Sequence, residues 1–186
     1  MLTIPPNAIQ THSGGYFDIF ESGPDAINLE DIAHSLAMQC RYNGHIRLFY
    51  SVAEHSAIIA KWLLDQTGDY QLALEGLLHD GSEAYLCDIP RPFKQHLKEY
   101  KTLEERVERV VALKFGLVYP WAPIIREADT RILLDEKKVL MLDNKTYWPD
   151  MDGFEPLGVR IVGLPPAEAE ALFLDAFNVI TTKLKD

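Results

Sequence analysis

The chain has 186 residues and a formal net charge of −10, with 47% hydrophobic and 25% charged residues. That is an ordinary globular composition, with enough length for one well-filled core. The acidic balance argues against a nucleic-acid polymer as partner, since such binding rests on basic surfaces, but it leaves room for a small anion met by local positive charge. No apolar run approaches the ~20 residues that cross a bilayer, so no membrane partner is expected.

The start, Met1-Leu2-Thr3-Ile4-Pro5-Pro6, lacks the basic-then-apolar order of a signal peptide. Cys40 and Cys87 form no disulfide framework, and a reduced cytoplasmic setting is expected, with both as small packing groups. Residues 1–27 carry glycine pairs and the aromatics Tyr16, Phe17 and Phe20. They read as an extended arm or a short hairpin before a main domain spanning 28–186. Asn28 is a helix N-cap with Glu30 and Asp31 in the first turn. Ile32, Ala33, Leu36 and Ala37 follow at helical spacing.

Ser51-Val52-Ala53-Glu54 is a capping box that opens a second helix, stopped near Gly68. A third helix runs from about Tyr70 through Leu74, Leu77 and Leu78 into His79-Asp80. Pro90 and Pro92 stiffen the loop that follows. The fourth helix, from about His96 to Leu117, turns Leu103, Val107, Val110, Val111 and Lys114 inward. It leaves Glu104, Glu105, Arg106, Glu108 and Arg109 as a solvated face. Pro123 starts a fifth helix and Pro165-Pro166 a last one, with Ala169, Leu172, Phe173, Ala176, Phe177 and Ile180 on one stripe. Residues 143–164 are irregular and aromatic, suited to cover a pocket or a subunit contact, although Tyr147 and Trp148 read first as core or interface groups. No convincing strand pattern stands out. The class is all-α.

The chemistry concentrates in Leu77-Leu78-His79-Asp80-Gly81-Ser82-Glu83, an apolar run ending in an imidazole and two carboxylates. Buried charges must be paired or bound to a metal. On a helical wheel of about 100° per residue, Glu83 falls between His79 and Asp80. His55 opens the preceding helix and meets His79 if the two helices pack antiparallel. Asp129 interrupts the apolar side of the fifth helix. Each has a plainer reading: a cap, a surface histidine, or an ion pair with Arg126 or Arg131.

Together, His55, His79-Asp80 and Asp129 resemble the ligand series of the HD-domain metal-dependent phosphohydrolases. Ala53-Glu54-His55-Ser56 and the string from His79 through Pro90-Arg91-Pro92-Phe93-Lys94 are similar to small deoxynucleotide triphosphohydrolases and to deoxyribonucleoside 5′-monophosphatases of that superfamily. The resemblance covers roughly residues 28–142. It implies an all-α HD-domain bundle and a divalent ion on His55, His79, Asp80 and Asp129. Two imidazoles and two carboxylates suit Mn, Co, Fe, Ni or Zn. It also implies that Glu83 and Asp88 handle protons, that Lys94 and Arg41 bind phosphate, and that Tyr42 meets the base. The interval from Arg41 to His55 is slightly shorter than in those relatives.

The expected activity is hydrolysis of a deoxynucleotide phosphate bond by a metal-bound water. The Arg47-Leu48-Phe49-Tyr50-Ser51 segment tips the reading, by a small margin, toward a triphosphohydrolase. Arg41, Arg47, Arg91, Lys94 and Lys98 are the available cations. A 5′-nucleotidase is the alternative, and a non-catalytic nucleotide- or protein-binding module is the reading from another class. A nucleotide partner and a homo-oligomer are expected.

Overall fold

A computed structural model describes residues 4–143 and 145–185; Met1–Thr3, Asn144 and Asp186 lie outside it. The fold is all-α apart from one small hairpin, β1 (Ala8–Gln10) antiparallel to β2 (Tyr16–Asp18), with Ile9 opposite Phe17. The three-residue strands are too short for alternation to stand out in sequence. Their hold on the bundle is side-chain chemistry: Phe17 is buried against Tyr85, and Asp31 accepts from the backbone and hydroxyl of Ser13.

The main helices are α1 (Leu29–Met38), α2 (Val52–Thr67), α3 (Tyr70–Leu78), α6 (Lys98–Phe115), α7 (Pro123–Leu140) and α8 (Pro166–Lys183). The one-turn helices α4 (Glu83–Leu86) and α5 (Arg91–Lys94) sit between α3 and α6. The caps act as their side chains dictate. Asn28 accepts from Glu30 N, Ser51 from Glu54 N and Asp69 from Leu72 N. Gly68 and Gly116 end α2 and α6 in the left-handed conformation that glycine permits.

Helix α2 lies at the centre, with α3, α7, α8 and α1 packed against it. The Gly68–Asp69 connection folds α3 back on α2, and Gly76 lets them come close: a Cβ there would meet Leu63 Cδ1 at 2.3 Å. This contact brings the start of α2 beside the end of α3, where His55 and His79 lie. No helix of the described residues is long and apolar enough to cross a membrane.

Several expected placements differ. Helix α3 stops at Leu78, and residues 79–82 form a turn held by Gly81 N to Leu78 O and Glu83 N to Asp80 O, both 2.9 Å. Gly81 permits it, since a Cβ would stand 3.0 Å from Leu78 O and 3.1 Å from Val111. In α6, Glu104 is buried rather than solvated, and Lys114 is exposed rather than inward. Arg106 donates to Ser22 O, and Glu108 accepts from Tyr119 and Trp121. The periodic reading counted these as surface charges; each is drawn inward by a fixed polar partner. Leu172 is exposed on α8. Cys40 is half-buried and Cys87 exposed, both free thiols.

The segment after α7 is stitched down by carboxylates of the helices beneath it. Asp135 accepts from Leu157 N and Gly158 N. Glu54 accepts from the N–H groups of Val162, Gly163 and Leu164 at 2.7–3.0 Å. The expected capping-box glutamate thus serves the tertiary fold, while Ser51 alone caps α2.

Candidate metal centre

Three elements converge at one place. The first turn of α2 gives His55, which has 0% exposure; the turn after α3 gives His79 and Asp80; α7 gives Asp129. The two rings lie 5.6 Å apart. His79 Nδ1 donates to Gly76 O at 2.8 Å, and His55 Nδ1 donates to Glu136 Oε1 at 2.7 Å. Each hydrogen bond fixes its ring so that Nε2, the nitrogen free to meet a metal, points into the cluster. Both Nε2 atoms are buried without a hydrogen-bond partner. His79 Nε2 is 3.2 Å from Asp80 Oδ1, and His55 Nε2 is 3.6 Å from Asp80 Oδ2.

Ligand atoms of His55, His79 and Asp80 all lie within 4.8 Å of one another, so this group could hold a metal ion. Asp129 stands just beside it. Its Oδ1 is 3.2 Å from His55 Nε2, and its Oδ2 is engaged by Arg91 rather than by Arg126 or Arg131. Orphaned imidazole nitrogens facing carboxylates are a costly arrangement unless a cation completes it.

Electrostatics follow from burial and neighbours. Burial and Arg41 push the His55 imidazole down, but Glu136 and Asp129 outweigh them and carry it up to about 9. Asp129 is held well below the usual carboxylate range: burial would raise it, but the nearby His55 imidazole and Arg91 prevail. Glu83 is raised well above that range by burial, Asp80 and Asp88, and its Oε2 has no partner. Burial also raises Asp88.

Lys94 reaches over Glu83 at 3.5 Å and is gripped by Glu104, the buried carboxylate of α6. Arg41 is buried between Asp80 Oδ2 at 3.8 Å and Glu136 Oε2 at 3.5 Å. Tyr42 donates its hydroxyl to Glu136 and turns its ring toward Trp148. Tyr42, Asn43 and Cys87 are the non-glycine residues with positive φ among those described, and all flank the centre. Strained backbone gathers where a site over-determines it.

A cavity of about 680 Å³ opens over the centre. Arg41, Tyr42, Asp80, Glu83, Asp88, Lys94 and Asp129 all line it, together with Arg91, Leu133, Trp148 and Met151. His55 and His79 lie beneath. Trp148, read first as core or interface, is instead part of the wall. Arg47 and Lys98 do not line it; Arg47 donates to Val139 O.

Sequence reasoning missed three residues that organise this site. Glu136, with 0% exposure, ties His55, Arg41 and Tyr42 together. Its signal was available: it stands two helical turns after Asp129 on the same face of α7. Gln39 donates to Glu83 O at 3.0 Å and accepts from Asp88 N at 2.9 Å, fixing the loop that carries both acids. Glu104 fixes Lys94. Nothing in a one-dimensional pattern pairs Gln39 or Glu104 with those partners.

No family model matches the chain. It is similar to the uncharacterized protein YfdR of Escherichia coli K12, with 37% identity over 171 residues covering 91% of this chain and 93% of YfdR. An uncharacterized protein of Rhodobacter capsulatus is 33% identical, over 92% of this chain and 94% of its own length. The chain belongs to the family of YfdR.

Proposed function

We propose that the chain is a metal-dependent phosphohydrolase of the HD type that releases inorganic phosphate from deoxynucleoside 5′-monophosphates. The observation that carries this reading is the pair of buried, unpartnered Nε2 atoms facing Asp80, with the raised carboxyl of Glu83 and the ammonium of Lys94 above them. His55, His79, Asp80 and Asp129 would hold a divalent ion. When bound, it would supply Lewis acidity to a phosphoryl oxygen and acidify a water.

The chain's own groups do the rest. Lys94 and Arg41 offer donors to the phosphoryl oxygens as charge develops on them. Glu83, whose carboxyl burial and the neighbouring acids raise, accepts the proton of the attacking water as the P–O5′ bond breaks. Asp88, raised in the same sense, is placed to return a proton to the departing oxygen. Gln39 holds the backbones of both acids in register.

The choice of a monophosphate over a triphosphate comes from charge. Carboxylates outnumber cations in the cavity wall. Each wall cation is already engaged: Arg41 with Asp80 and Glu136, Arg91 with Asp129, Lys94 with Glu83 and Glu104. Arg47 and Lys98, counted among the available cations, do not line the cavity. One divalent ion compensates a phosphomonoester but leaves a triphosphate tail poorly matched.

Product analysis after incubation with dAMP and dATP, with Mn²⁺ or Co²⁺ present, is the test. Phosphate from dAMP is expected. Triphosphate from dATP would restore the triphosphohydrolase, and no product from either would leave a binding module.

A further inference from the structure

We infer that the apolar end of the cavity is a nucleobase subsite, and that Trp148 is its principal surface. This rests on the phosphomonoesterase reading and goes beyond it by naming what selects the substrate. The cavity, at about 680 Å³, falls within the ~300–1,000 Å³ of small-ligand sites and far exceeds what a phosphate group fills. Beside the charged groups, its lining includes the apolar side chains of Leu133, Met141, Trp148 and Met151, with Asp150 among them.

The two ends are joined by fixed geometry. On α7, Leu133 lies one turn beyond Asp129 and one turn before Glu136, so the apolar wall begins next to the ligand cluster. Tyr42 bridges the same gap: its hydroxyl is bound to Glu136, and its ring centroid is 6.2 Å from that of Trp148, tilted by 41°. Trp148 is held in place as well. The Lys137 ammonium lies 5.3 Å from its ring centre and donates to Thr146 O, tying the segment to α7. Met151 is buried beneath.

A preset aromatic shelf beside a phosphate-binding end suits a planar, uncharged ring carried one sugar away from the phosphate. Base stacking on such a surface is tolerant of sequence and contributes affinity without chemistry. Trp148 therefore governs KM for substrates with a base and is indifferent to those without one.

The experiment compares wild type, Trp148→Ala and Trp148→Phe on dAMP and on 2-deoxyribose 5-phosphate, which keeps the phosphomonoester and lacks the base. KM is read for each, or Kd by calorimetry where no turnover occurs. For Trp148→Ala, KM for dAMP is expected to rise roughly ten- to a hundredfold with kcat nearly unchanged, the scale of a lost base stack. Values for 2-deoxyribose 5-phosphate should stay within about twofold, and Trp148→Phe should recover most of the affinity. An unchanged KM for dAMP, or an equal loss on both compounds, overturns the subsite. Binding of dAMP through Trp148 without phosphate release would keep the subsite and overturn the hydrolase instead.

Discussion

Glu136 explains why His55 turns its Nε2 toward Asp80 and Asp129. It accepts from His55 Nδ1, faces Arg41 and holds the Tyr42 hydroxyl, all from a fully buried position. Burial would raise its carboxyl, but Arg41 and His55 hold it below the ordinary range. Glu136→Ala is expected to weaken metal binding about 10- to 100-fold, the usual cost of losing an orienting partner of a ligand. Glu136→Gln, which can still accept from Nδ1, should lose less; calorimetric titration of the two variants checks the order. In the proposed reaction Glu83 would act differently, moving a proton rather than orienting a ligand. Glu83→Ala should retain the metal while phosphate release slows by at least about 10²-fold. At this scale, His79 and Asp80 stood out at the end of an apolar run and Asp129 on an apolar stripe, and the resemblance to HD-domain phosphohydrolases joined His55 to them. Gln39 was not legible, because its partners come from a distant part of the chain, nor was Glu104, which periodicity placed on the solvated face of α6.

The helices announce themselves through caps and stops. Asn28, Ser51 and Asp69 begin helices with their own side-chain oxygens, and Gly68 and Gly116 end them. The hairpin and the turn at 79–82 were harder to see, since each depends on close tertiary contact more than on periodicity. Glu54 shows why local motifs can mislead: the same residue satisfies a capping pattern and three backbone donors of a distant loop. Removing it leaves those donors without their carboxylate. Glu54→Ala is expected to destabilise the fold by about 3 kcal/mol, within the range for buried hydrogen bonds to a charged group, as read from urea unfolding. A change below about 0.5 kcal/mol would mean that the 162–164 strap is not held this way.

Across the whole molecule, an acidic chain folds so that Arg41, Arg91 and Lys94 meet at one cavity. The −10 charge excludes much, but it says nothing of this local arrangement, which arises only when α2, the 79–94 segment and α7 are brought together. The pH response follows from His55. In the metal-free protein its pKa of about 9 lies above its unfolded value near 6.5, so its stabilising contribution is complete below about pH 6.5 and fades as pH rises through 9. A metal ion bound through His55 would have to displace that proton, so apparent metal affinity should climb roughly tenfold per pH unit between about 6.5 and 9. Calorimetric titrations across that range would show it, and a flat profile would exclude His55 as a ligand. The most direct test of the account strips the protein with chelator, then follows phosphate release from dAMP as Mn²⁺ is added to wild type and to Asp80→Ala. The account predicts no release from stripped wild type, recovery as the ion is added, and none from Asp80→Ala at any concentration tested. Full activity in the stripped protein, or recovery in Asp80→Ala equal to wild type, would contradict it.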